Sequence, residues 1–152
     1  MKLAEALQER ADLNRRIEQL KSRLNSNALV QEGEKPAEEP EQLLKELDGC
    51  VARLEELMAR INHTNGETVV EGKTLTQLLA RKDALTIRMT AYRDLVNTAS
   101  QTARRATRSE IKILSTISVQ DKQRMADEMA KELRLLDNKL QATNWTTELL
   151  ED

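Results

Sequence analysis

Hydrophobic residues recur along this chain in alternating steps of three and four. Leu3, Ala6, Arg10, Leu13, Ile17, Leu20 and Leu24 keep that rhythm, so the spacing predicts a helix over about residues 1–29 with one apolar face. Residues 31–40 break it. They hold Gly33, Pro36, Pro40 and several glutamates and offer almost nothing apolar to bury, which predicts a flexible acidic loop. A second helix is expected over about 41–63, with Leu44, Leu47, Val51, Leu54, Met58 and Ile61 as its seam. Leu43, Cys50 and Leu57 recur at seven on the flank, giving a stripe wide enough for more than one packing partner. Asn65-Gly66 is expected to end this helix, since both residues tolerate a left-handed cap.

The period then changes. Thr68-Val69-Val70, Glu71-Gly72 and Lys73-Thr74-Leu75 read as two short strands around a turn, a β-hairpin over 67–75. Thr74 and Gln77 stand at capping-box spacing and launch a third helix. Its seam is Leu75, Leu78, Lys82, Leu85, Met89, Tyr92, Val96, Ala99 and Ala103. Residues 104–118 form an extended or irregular connector. Within it the β-branched run Ile111, Ile113, Thr116, Ile117 favours an extended segment, and the helical alternative for 109–117 stays open. Ser118 with Asp121 caps a fourth helix, with Val119, Ala126, Met129, Leu133, Leu136 and Leu140 facing inward. Thr143 to Thr147 ends it with side chains that bond their own backbone. The expected fold is therefore mainly α: one domain over 1–152, a coiled-coil-like four-helix bundle with a small β-hairpin at one end.

Composition sharpens this. There is no Phe, one Tyr and one Trp, so Leu, Ile, Met and Ala must fill the interior. Charged residues make up 33% and Gly is limited to four, as long helices with wet outer faces require. A net charge of −2 argues against a dedicated nucleic-acid or anionic-membrane binder. The single Cys50 can form no internal disulfide and fits a cytoplasmic address. No stretch is apolar enough to span a bilayer, and the first residues carry charge where a signal peptide needs an apolar run.

Several short motifs carry a resemblance. Lys2 to Leu7, Ile61-Asn62-His63-Thr64-Asn65, Arg108-Ser109-Glu110-Ile111-Lys112 and Asn144-Trp145-Thr146-Thr147-Glu148-Leu149 together resemble the small bacterial proteins often labelled septicolysin. The resemblance implies a functionally uncharacterised family, and its label implies a cytolysin. The residues give that activity no support: the one Cys lies within a helix and the one Trp is far from it along the chain.

Candidate chemistry is sparse. A di-iron bundle of the Glu-x-x-His type needs two histidines, and His63 is alone with Arg60 three residues before it. Cys50 sits among leucines, the setting of a buried structural thiol. Arg104, Arg105, Arg108 and Lys112 form the densest basic cluster, suited to an anion, an RNA backbone or an acidic protein face. Trp145 reads as an anchor against the protein's own bundle or a partner. Arg10 and Lys82 interrupt two apolar seams, where a charge either snorkels outward or sets register. No catalytic set, metal site or cofactor motif is expected. A small-molecule ligand is left open. The expected role is a self-assembling structural or interaction protein, a homo-oligomer. A prefoldin-like holdase and an RNA- or anion-binding module using Arg104 to Lys112 are the alternatives.

Overall fold

The computed structural model describes residues 1–101 and 111–151. Among them the protein is mainly α, with helices α1 (Leu3–Ser26), α2 (Pro40–Glu67), α3 (Leu75–Ala99) and α4 (Val119–Thr146). Between α2 and α3, strands β1 (Val69–Val70) and β2 (Lys73–Thr74) pair into a two-stranded sheet. The chain divides into two compact units: Met1–Val70 with Thr143–Asp152, and Glu71–Ala142.

In the first unit α1 packs on α2. The sequence rhythm of α1 holds. Leu3, Ala6 and Leu20 are buried, and Leu13, Ile17 and Leu24 are half-buried. The loop to α2 turns at Gly33, whose φ of 84° is the left-handed region glycine enters without penalty. Pro40 opens α2 at the one helical position where a missing N–H costs nothing. The loop's end is tied back to α1. The Glu38 backbone N–H donates to Asn27 Oδ1 at 3.0 Å, and Arg23 Nε donates to the Glu38 carboxylate at 2.9 Å.

The face α2 turns toward the interior keeps Leu47, Leu54 and Ile61 of the expected seam and joins them to the Leu43, Cys50 and Leu57 flank. Leu43, Leu57, Ile61 and Thr64 are buried, and Cys50 is half-buried between them. Leu44, Val51 and Met58 are exposed. Both stripes are apolar at heptad spacing, so periodicity cannot choose between them. Arg53 donates to both oxygens of Glu9, Nε at 2.7 Å and Nη2 at 3.1 Å, and Arg16 pairs with Glu46. These bridges join α1 to α2 beside the buried Leu43–Leu57 flank.

Asn65-Gly66 does not end α2. The helix continues to Glu67, and the Thr68 N–H closes the last turn on the Thr64 carbonyl at 2.9 Å. Thr68 then becomes extended and leads straight into β1, so no left-handed cap is needed. The last residues pack into the same unit. Leu3 N–H donates to the Thr147 carbonyl at 2.9 Å, and Leu149 N–H donates to the Met1 carbonyl at 2.8 Å. Lys2 and Glu148 form an antiparallel bridge between these short stretches, and Leu149 is buried.

The turn of the hairpin places Glu71 at φ 50° and Gly72 at φ 82°. Two positive values in sequence are what a type I′ turn requires. In the second unit Lys139 Nζ donates to the Glu71 carboxylate at 2.5 Å. The capping box forms: Gln77 N–H donates to Thr74 Oγ1 at 3.2 Å, and Thr74 N–H donates to Gln77 Oε1 at 2.9 Å. α3 and α4 pack through Leu85, Met89 and Met129, with Tyr92, Met125, Ala130 and Leu133 against them. Ser118 Oγ accepts the Asp121 N–H at 3.3 Å at the start of α4, as the cap spacing predicts. Of the expected connector, residues 111–118 form neither strand nor helix, and 102–110 lie outside the described residues.

Candidate interaction surface

The exposed flank of α2 is built by helical periodicity alone. Glu41, Leu44, Asp48, Val51, Glu55 and Met58 follow in steps of three and four, and so share one face. All six are exposed. Leu44, Val51 and Met58 expose 39%, 45% and 46% of their surface, large values for aliphatic side chains standing in one row. None of the three carboxylates forms an ion pair among the described residues. The face is a ridge of apolar knobs alternating with unmatched negative charge.

The opposite edge of α2 is matched. Arg53 holds the Glu9 carboxyl below the usual carboxylate range, chiefly by its hydrogen bonds, and Glu9 in turn raises the Arg53 guanidinium. Arg23 lowers Glu38 in the same way, and Lys2 lowers Glu148. Arg60 Nε donates to the Leu150 carbonyl at 3.0 Å. Thr64 was not singled out from the sequence, yet it is the one buried polar residue among the described residues of this unit. Its hydroxyl donates to the Arg60 carbonyl at 2.7 Å and accepts the Leu150 N–H at 3.0 Å. The Asn62-His63-Thr64 text gave no signal of it, because its partner lies 86 positions further along the chain.

A second surface lies between α3 and α4. A shallow groove of about 400 Å³ has Met89, Ala130 and Leu133 as its floor. Lys82, Arg93, Arg134 and Asp137 rim it. Lys82 Nζ is held by Asp137 at 2.8 Å, so that pair is neutral. Arg93 and Arg134 are exposed, come from facing helices and form no ion pair among the described residues. Nearby, Arg81 pairs with Glu132, which with Lys82–Asp137 ties the two helices in one register.

The residues singled out from the sequence are scattered. Arg104, Arg105 and Arg108 lie outside the described residues, and Lys112 stands exposed on the irregular stretch that follows. Trp145 falls in the last turn of α4 with 52% of its surface exposed. Arg10 is half-buried in α1 without an ion pair among the described residues, whereas Lys82 has its carboxylate on α4. His63 is exposed within α2. Among the described residues no group of three or more His, Cys, Asp or Glu could hold a metal ion, and no helix is long and apolar enough to cross a membrane.

Comparison with known proteins corrects the resemblance drawn from short motifs. A model of a family of unknown function (DUF6847) matches residues 10–149. The chain is also similar to a solved structure described as a functionally unknown conserved protein from Corynebacterium diphtheriae. The two are 43% identical, with a TM-score of 0.94, and the match covers 99% of each chain. Neither finding carries the septicolysin label, so that assignment, which rested on four motifs of five or six residues, falls. No curated protein matches the sequence. A family model spanning nearly the whole sequence settles the membership: the chain belongs to this family of unknown function, DUF6847.

Proposed function

We propose that the protein is a self-associating structural or interaction module, and that α2 supplies its contact face. The observation that carries this is the row Leu44, Val51 and Met58, apolar, exposed and at seven-residue spacing on a helix whose other flank is already packed. Keeping three such side chains in water forgoes on the order of 1–2 kcal/mol each, which a partner would recover. Heptad spacing also suits a helical partner, since knobs seven apart fit the holes of a facing helix.

Size-exclusion chromatography with light scattering tests the proposal. The 17.3 kDa chain is expected to show a mass above that of one copy at micromolar concentration, falling on dilution. Val51→Asp with Met58→Asp is expected to return it to one copy with its helical content intact. A wild-type protein that remains a single copy up to about 100 µM, where even weak specific contacts are populated, overturns it.

A further inference from the structure

We infer that the ridge of α2 docks into the groove between α3 and α4 of a second copy. The inference rests on the self-association proposed above and names the surface that receives the ridge. The two surfaces are opposites in charge and alike in their apolar content. The ridge presents Asp48 and Glu55, which form no ion pair among the described residues, beside Leu44, Val51 and Met58. The groove presents Arg93 and Arg134, which form no ion pair among the described residues, above Met89, Ala130 and Leu133, and its one rim carboxylate, Asp137, is held by Lys82. Each therefore holds what the other lacks.

Dimensions agree. From Leu44 to Met58 the ridge runs about 21 Å at 1.5 Å per residue, and from Lys82 to Arg93 the groove wall runs about 16 Å. Asp48 and Glu55 stand two helical turns apart, roughly 10 Å, a span two arginines on facing helices can bracket. Guanidinium groups suit this role because their planar fork grips a carboxylate with two hydrogen bonds and loses little hydration doing so. Unlike-charged rims also steer encounter, while a ridge meeting another ridge would bring like charges together. That repulsion disfavours an α2–α2 contact. The resulting contact joins two different surfaces. Such contacts close into a reciprocal pair or ring if the rotation between copies allows, and otherwise extend into a filament.

The test uses charge exchange in the full chain. Asp48→Arg with Glu55→Arg makes a basic ridge. Arg93→Glu with Arg134→Glu makes an acidic groove. All four positions are exposed and form no ion pair among the described residues, and circular dichroism checks that each variant keeps its helices. Each doubly substituted protein alone should self-associate at least about tenfold more weakly than wild type by sedimentation, as expected when like charges are juxtaposed. Mixed in equal amounts, the two should assemble again. Milder Arg93→Gln with Arg134→Gln should weaken association less, and added salt should weaken wild-type assembly. Three results overturn the inference: an acidic-groove variant that associates like wild type, a mixture that stays dissociated, or salt-insensitive assembly. If the acidic-groove variant assembles normally while Val51→Asp with Met58→Asp does not, the proposed function stands and only this partner surface fails. If wild type never assembles, both fail.

Discussion

The two units of this protein build helix pairs from different materials. In the first, α1 and α2 meet along a narrow seam of Leu20, Leu57 and Ile61, all fully buried, framed by ion pairs and sealed by the last residues. In the second, the cluster between α3 and α4 adds two methionines, Met89 and Met129, to Leu85. Rigid leucines give a seam that fixes side-chain positions, whereas methionines adapt to an irregular gap. The first unit is therefore the more exacting. It also leaves one flank of α2 unused, and the second unit leaves its groove walls positively charged.

This contrast can be broken experimentally, and the chain's two aromatic residues make it convenient. Trp145, at the end of α4, is grouped with the first unit and Tyr92 with the second, so fluorescence follows both. The largest expected effect is in the seam. Leu57→Ala should cost about 3 kcal/mol by chemical denaturation, since a fully buried leucine leaves a cavity its neighbours only partly fill. Met89→Ala should cost less, about 2 kcal/mol, because flexible neighbours relax into the space. Equal losses would remove the distinction between rigid and adaptable seams.

Thr64→Val comes next. It keeps the volume but removes the acceptor of the Leu150 N–H, an expected cost of about 1–2 kcal/mol. Hydrogen exchange at Leu150 should accelerate while amides of α3 stay unchanged. Acid should follow. Glu9, Glu38 and Glu148, all in the first unit, have folded pKa values below the ordinary one. Above about pH 5 their contribution is complete, because both states are ionised. As pH falls past the usual glutamate value of about 4.3, the unfolded chain takes up protons first and stability declines until the lowered folded values are passed. Urea titrations between pH 7 and 3 should show this loss through Trp145, and Glu9→Gln should flatten it. The smallest effect is expected at Lys82→Ala, below about 1 kcal/mol, since its pair with Asp137 is more than one-third exposed.

Much of the fold was legible in the sequence. Every helix among the described residues was found, as were the Thr74–Gln77 cap, the Ser118 cap and the Glu71-Gly72 turn, because each rests on neighbours within a few residues. The inward residues of α1, α3 and α4 followed from period alone. α2 resisted. Its two apolar stripes are equivalent to a periodicity argument, and only the packing on α1, with the bridges Arg53–Glu9 and Arg16–Glu46 across it, distinguishes them. The surfaces were less legible still. Arg93 and Arg134 lie 41 positions apart in the numbering and look like ordinary solvated charges until α3 and α4 meet. Thr64 and Leu150 were invisible for the same reason.

The central claim is that α2 has one flank for folding and another for assembly, and a paired measurement addresses it directly. Leu57→Ala and Val51→Asp are compared by thermal denaturation at a concentration too dilute for association, and by sedimentation at a higher one. Leu57→Ala should melt lower by roughly 6–12 °C, as about 3 kcal/mol does in a chain of this size, and still assemble when folded. Val51→Asp should melt within about 2 °C of wild type, as a surface change does, and sediment as a single copy. A Val51→Asp protein that melts as low as Leu57→Ala, or that assembles like wild type, would contradict the account.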